Sequence, residues 1–123
     1  MEIGVLRRDG RTDPFFDGTA SDRLVVRHCA ACDLWFAPDA TGCPECGEED
    51  LAWAEASGDA TLVTWTVLPK DPPAYLALVE LAEGPWLHAR LDGADRGDLR
   101  EGLPLRVAFE HPDEGESYIL FRP

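Results

Sequence analysis

Cys29-Ala30-Ala31-Cys32 and Cys43-Pro44-Glu45-Cys46 decide how the rest of the chain is read. Each is a Cys-x2-Cys, and ten residues separate them. A turn of this length points two sulfurs the same way. Two such turns bring four thiolates around one ion, in the tetrahedron that zinc accepts and that iron accepts in some four-cysteine sites. Pro44 presets one φ angle of the second turn, and Gly47 can take the positive φ that follows it. All four cysteines of the chain are used, and the doubled spacing favours metal over two disulfides. Met1-Glu2-Ile3-Gly4 shows no basic segment followed by an apolar run, so no signal peptide argues for an oxidising compartment, and a cytoplasmic location is expected. Four sulfurs leave no open position for water or substrate, which makes a structural site the expectation. His28, beside Cys29, is surplus to that set and is expected next to the metal or facing solvent, not on the ion. A zinc deaminase is excluded, because its His-x-Glu and Pro-Cys-x-x-Cys are both missing.

Working outward, Leu24 to His28 is a β-like run into the first turn, and Leu34-Trp35-Phe36 leaves it. Pro38 to Gly42 carries the chain to the second turn, and Leu51-Ala52-Trp53 forms an exit strand, with Trp53 expected to cap the unit. Residues 23–56 thus read as a rubredoxin-like zinc ribbon, in which metal replaces most of the core that so few residues cannot build. Upstream, residues 1–22 read as a loose arm carrying Arg7, Arg8 and Arg11, then a short helix running to about Asp22. Asp13 is the expected N-cap, with Pro14 at the first helical position and Gly18 weakening the helix. Phe15 and Phe16 cannot easily share one small core: either one packs on the ribbon while the other is partly exposed, or together they form a partner-docking surface.

Downstream, residues 57–123 are patterned as strands. Thr61 to Leu68 alternates, with Val63, Trp65 and Val67 on one face, and Tyr75 to Leu81 is nearly continuous in apolar residues, as a central strand would be. Pro69 to Pro73 makes a rigid loop between them. Trp86 to Leu91 alternates again: Leu87, Ala89 and Leu91 face inward, and Trp86, His88 and Arg90 face the other way. Leu105 to Phe109 and Tyr118 to Phe121 supply two more strands, after a polar connection over Asp92 to Gly102 with room for one helical turn. Five strands at this spacing without a long helix predict a small closed barrel of the OB type, so the fold class is mainly β.

The 123 residues suit one ordinary domain or two very small ones. Hydrophobic content is 45%, and no apolar run approaches the ~20 residues of a membrane span. Net charge is −13, from 24 acidic and 11 basic residues spread over both halves. Such a surface repels phosphate backbones, which argues against nucleic acid.

The chain has no Gly-x-Ser-x-Gly elbow, no glycine-rich phosphate loop and no His-Glu-x-x-His helix. The strip Trp86, His88 and Arg90 has most reactive potential: a tryptophan can stack on a planar ring or pack an apolar chain, and an arginine can meet a phosphate. The plainer reading is an exposed strand face with Arg90 reaching for solvent. Lys70 and Tyr75, flanking the proline loop, are the second candidate pair.

Several segments taken together resemble the DUF35 family of acyl-CoA-associated zinc-ribbon and OB-fold proteins. They are Phe15-Phe16-Asp17-Gly18, Arg23 to Cys29, Cys43 to Gly47, Ser57-Gly58, Ala77 to Gly84, Gly102 to Val107 and Phe121-Arg122-Pro123. The resemblance spans residues 13–122. It implies an accessory subunit without a catalytic residue of its own, forming a hetero-oligomer. Its partner would be a thiolase-like acetyltransferase, a lipid-transfer-protein-type aldolase acting on steroid side chains, or a MaoC-like hydratase. It further implies that Cys29, Cys32, Cys43 and Cys46 hold zinc, or less readily iron, and that the barrel helps close the partner's acyl-CoA site. Phe15, Phe16, Lys70, Tyr75, Trp86, His88 and Arg90 are then the candidates for facing CoA or the partner. Where the family often carries a tryptophan on the first helix, this chain has two phenylalanines. Two other classes stay open at this stage: a single-stranded nucleic-acid binder using an OB groove, and a rubredoxin-like electron carrier.

Overall fold

The structure, a computed structural model, describes residue 10, residues 12–69 and residues 74–123. Arg7, Arg8, Arg11 and Lys70, and most of the proline loop, lie outside the described residues.

The metal turns sit on a three-stranded antiparallel sheet of order β2-β1-β3, made from β1 (Val25–Cys29), β2 (Leu34–Phe36) and β3 (Ala52–Glu55). β1 pairs Cys29 with Leu34 on one side and Arg27 with Trp53 on the other. Trp53 does not cap the ribbon as expected. It stands half-buried with the Arg27 guanidinium over its ring, 4.1 Å from the centroid, and Arg27 Nη1 also donates to the Leu51 carbonyl at 2.9 Å.

Among the described residues, one short helix, α1 (Asp13–Ala20), precedes this sheet. Thr12, not Asp13, occupies the N-cap, and its carbonyl accepts from the Phe15 and Phe16 N–H groups at 3.0 and 3.3 Å. The helix stops at Ala20, short of the expected Asp22, which itself adopts a positive φ of 59°. Gly18, read from sequence as a weakness, is what lets α1 lie on β1. A Cβ there would come within 2.7 Å of Val25 Cγ2 and 2.8 Å of the Arg23 carbonyl oxygen. Thr19 is fully buried, its Oγ1 lying 3.0 Å from the Phe16 carbonyl and 2.8 Å from the Ser117 carbonyl. His111 completes the attachment, with Nδ1 2.7 Å from Ser117 Oγ and Nε2 2.6 Å from Asp22 Oδ1.

The remaining strands are β4 (Asp59–Leu68), β5 (Ala74–Leu81), β6 (Trp86–Leu91), β7 (Pro104–Glu110) and β8 (Tyr118–Arg122). They form a closed barrel in the order β4-β5-β6-β8-β7, with β6 and β8 parallel and the other neighbours antiparallel. This is the five-stranded OB arrangement expected from the sequence. The polar connection before β7 holds one 3-10 turn, Arg96–Asp98. The barrel core draws on all five strands, including Leu62, Val79, Leu91, Leu105 and Phe121. Leu24 and Val26, from the ribbon side, join the same cluster.

β4 differs from simple alternation. Its register against β5 shifts between Leu62 and Thr64, so Ala60 and Leu62 point inward before the bulge and Trp65 and Val67 after it. Val63, expected to share a face with Trp65, sits at the shift itself. A bulge inserts one unpaired residue and so reverses which parity faces the core.

Candidate metal centre and docking face

Cys29 ends β1, and Cys32 lies in the turn that follows, closed by Asp33 at a positive φ of 53°. In the second turn the Cys43 N–H donates to the Glu48 carbonyl at 2.9 Å and the Gly47 N–H to the Cys43 carbonyl at 2.8 Å, with Gly47 at the anticipated positive φ. Their four Sγ atoms lie within 4.8 Å of one another, the Cys29–Cys46 pair at 3.6 Å, and none is in a disulfide. Metal–sulfur bonds of about 2.3 Å in a tetrahedron need sulfurs roughly 3.8 Å apart. The donor set therefore lies within about an ångström of what one zinc-sized ion needs.

The thiols oppose one another when no cation sits among them. The Cys32 thiol is pushed up to about 12, first by its hydrogen bond with Cys46 and then by burial. For Cys43, burial is the largest influence and acts upward, yet the backbone N–H groups of Cys46 and Glu45 outweigh it and hold the thiol below its usual range. A divalent cation resolves such crowding by replacing shared protons. His28 is not part of the cluster. Its Nε2 lies 2.8 Å from Asp33 Oδ1, and its ring packs on Trp35 at 4.7 Å between centroids.

The second feature is on the barrel. Along β6, Leu87, Ala89 and Leu91 are buried, while Trp86 and His88 are exposed on the outer side. Among the described residues, the two exposed large hydrophobic side chains are Trp86 (54%) and Leu76 (37%), and both belong to the outer face of β5 and β6. A groove of about 400 Å³ runs between this face and α1, walled by Phe15, Phe16, Pro38, Leu76, His88 and Tyr118. Phe15 and Phe16 meet edge-to-face with centroids 5.3 Å apart, and Phe15 also packs on the main core, not on the ribbon's own small cluster. Trp86 Nε1 donates to Glu80 Oε2 at 3.2 Å across the two strands.

Arg90 is not the solvent-seeking side chain of the plainer reading. Its side chain is only 13% exposed; Nη2 lies 2.9 Å from Asp92 Oδ2 and 3.9 Å from Glu110 Oε2, and Nη1 is 3.4 Å from the Tyr118 hydroxyl. Burial acts most strongly on Arg90 and acts to lower its pKa, but the Asp92 carboxylate prevails and the guanidinium is held above its ordinary value. Its charge is already balanced within the protein. Tyr75 corrects an expectation: it is 7% exposed and part of the barrel core, because the odd-numbered positions of β5 point inward. The structure therefore brings Phe15, Phe16, Trp86, His88 and Arg90 to one face and leaves Tyr75 behind it.

Leu76, Pro38 and Tyr118 were missed as members of this face. A signal existed for Leu76: β5 is apolar from Ala74 to Val79, so its outward positions Leu76 and Leu78 were apolar as well. No helix among the described residues is long and apolar enough to cross a membrane.

The chain matches known proteins in both parts. The family described as ChsH2, rubredoxin-like zinc ribbon domain, matches residues 16–52, and the one described as ChsH2, C-terminal OB-fold domain, matches residues 53–110. A probable enoyl-CoA hydratase alpha subunit of Thermomonospora curvata is 31% identical over 115 residues, which cover 89% of this chain but 36% of that protein. The chain thus spans about a third of the length of that relative. A DUF35 domain-containing scaffold protein of Pyrococcus furiosus is 30% identical over 92 residues, 69% of this chain and 67% of its own length. Among solved structures, a chain of the Ltp2-ChsH2(DUF35) aldolase superposes with a TM-score of 0.82 and 30% identity, covering 94% of this chain and 96% of that one. A DUF35 protein of unknown function from Sulfolobus solfataricus shares the fold at a TM-score of 0.61 and 20% identity, over 77% of this chain and 75% of its own. With ribbon and barrel matched in order and a 30% identical relative aligned over two thirds of its length, this chain belongs to the DUF35 family.

Proposed function

We propose that the chain is a non-catalytic accessory subunit of an acyl-CoA-processing enzyme. It docks on a thiolase-fold partner, an acetyltransferase or an aldolase, and helps form that partner's acyl-CoA site. The observation that carries this reading is the likeness, over 94% of the chain, to a chain of the Ltp2-ChsH2(DUF35) aldolase. The ribbon holds a structural zinc on Cys29, Cys32, Cys43 and Cys46, in keeping with the sulfur separations, and keeps α1 in place against the barrel. We divide the chain into arm and helix (1–22), ribbon (23–56) and barrel (57–123), with Phe15, Phe16, Trp86, His88 and Arg90 on the partner side. The acidic surface also fits a subunit that leaves the CoA phosphates to its partner.

A second choice of partner, a MaoC-like hydratase, is favoured by the relative named as a hydratase alpha subunit. Purification of the tagged full chain from its native host, with identification of what co-elutes, decides between them. A stoichiometric thiolase-like protein supports the first partner and a hydratase the second. A chain that purifies alone from cells expressing it would end the accessory-subunit reading. Elemental analysis of the same sample should show zinc in a colourless protein; a red protein with thiolate-to-iron absorption would point to electron transfer instead.

A further inference from the structure

Large apolar side chains left in water are informative only when they gather in one place. Here the two exposed ones lie on neighbouring strands: Leu76 lines a groove whose walls are largely aromatic and aliphatic, and Trp86 lines the depression that adjoins it at Phe15, Phe16 and His88. The charges around it are one-sided. Asp39 lines a depression that shares Phe15, Phe16, Pro38 and His88 with the groove and reaches Trp86, and Glu80 and Glu101 line a separate depression that also meets Trp86. Asp92 and Glu110 stand at the Arg90 end, where they already balance its guanidinium. Among the described residues the face carries one arginine, Arg90, and its guanidinium is already paired with carboxylates. It offers an apolar centre inside a carboxylate rim.

We propose that this face, formed by α1, β5 and β6, is where the partner protein seats, and that it takes an apolar segment of that protein flanked by lysine or arginine. This rests on the accessory-subunit reading and specifies which surface of the chain, and which chemistry of the partner, make the contact. An exposed tryptophan over a groove is a typical anchor of such interfaces: its indole desolvates, and the surrounding carboxylates steer a basic partner and penalise an acidic one.

The test uses the full chain and the complex recovered with it. If wild type brings down no partner, the accessory-subunit reading fails and takes this inference with it. If it does, Trp86→Ala should reduce recovery tenfold or more. The double variant Asp39→Lys and Glu101→Lys should reduce it severalfold, and the wild-type complex should release progressively as salt is raised. Metal content and circular dichroism should stay at wild-type values in these variants, because all three side chains are exposed. Wild-type recovery by both variants would overturn the face assignment while leaving the accessory role intact. So would quenching of Trp86 fluorescence by free coenzyme A, which would make this a nucleotide surface, or a dimer of the isolated chain that Trp86→Ala dissociates.

Discussion

The ribbon and the barrel solve the same problem by different means. The ribbon's own cluster consists of Cys29, Cys43 and Leu51, so two of its three buried residues are ligands and burial alone supplies little. The barrel buries side chains from five strands around Phe121 and Val79, both at 0% exposure. At roughly 25 cal/mol per Å² of apolar area, the barrel has the means to stand on burial, and the ribbon does not. One half depends on a reagent that the cell can supply or withhold, the other only on its own sequence.

The sharpest way to break this contrast is to remove a ligand. Cys43→Ala should abolish stoichiometric metal binding, measured by elemental analysis, and should cost the ribbon its amide protection in hydrogen exchange while β4 to β8 keep theirs. Loss of protection throughout the barrel would show the two halves to be one cooperative unit. Acid should act on the same half. Because the metal-free Cys32 thiol is held at about 12, binding must displace its proton. Affinity should therefore fall as pH falls, by about tenfold per pH unit for each proton displaced. Zinc release followed with a chromogenic chelator between pH 8 and 5 checks the sign.

Next comes the converse change. Phe121→Ala empties the barrel centre and should cost about 3–5 kcal/mol in a denaturant titration, with the metal still bound in the native state. Gly58→Ala should cost less, about 1–3 kcal/mol. Gly58 adopts a φ of +91°, and an added Cβ would come within 2.6 Å of Val107 Cγ1. A Gly58→Ala protein as stable as wild type would mean that the β4–β7 seam can open locally at little cost.

How legible these halves were in the sequence follows the same division. The four-cysteine cluster could be read directly, because the doubled spacing dictates that the sulfurs converge. The barrel could be read as far as its strands and its inward set on β6, since period-two alternation reports burial directly. What alternation could not report was the bulge in β4, which reverses parity, or the inward turn of Tyr75, which lies at the edge of a run apolar on both faces. The pairing of Arg90 was hidden as well, because Glu110 and Tyr118 reach it from other strands. Gly18 misled for a related reason: helix propensity describes a helix in isolation, and here the glycine serves the contact with Val25.

The parallel pairing of β6 with β8 has a consequence for how the molecule is made. The three-stranded sheet is complete by Glu55, whereas the barrel closes only when Tyr118–Arg122 reaches β6 and β7. On the ribosome the ribbon can fold and take up its ion while the barrel is still an open sheet, so metal supply is tested before most of the chain has been invested in structure. Translation under zinc depletion followed by pulsed proteolysis should therefore show cleavage first within the ribbon, and a chain cleaved first in the barrel would reverse that order.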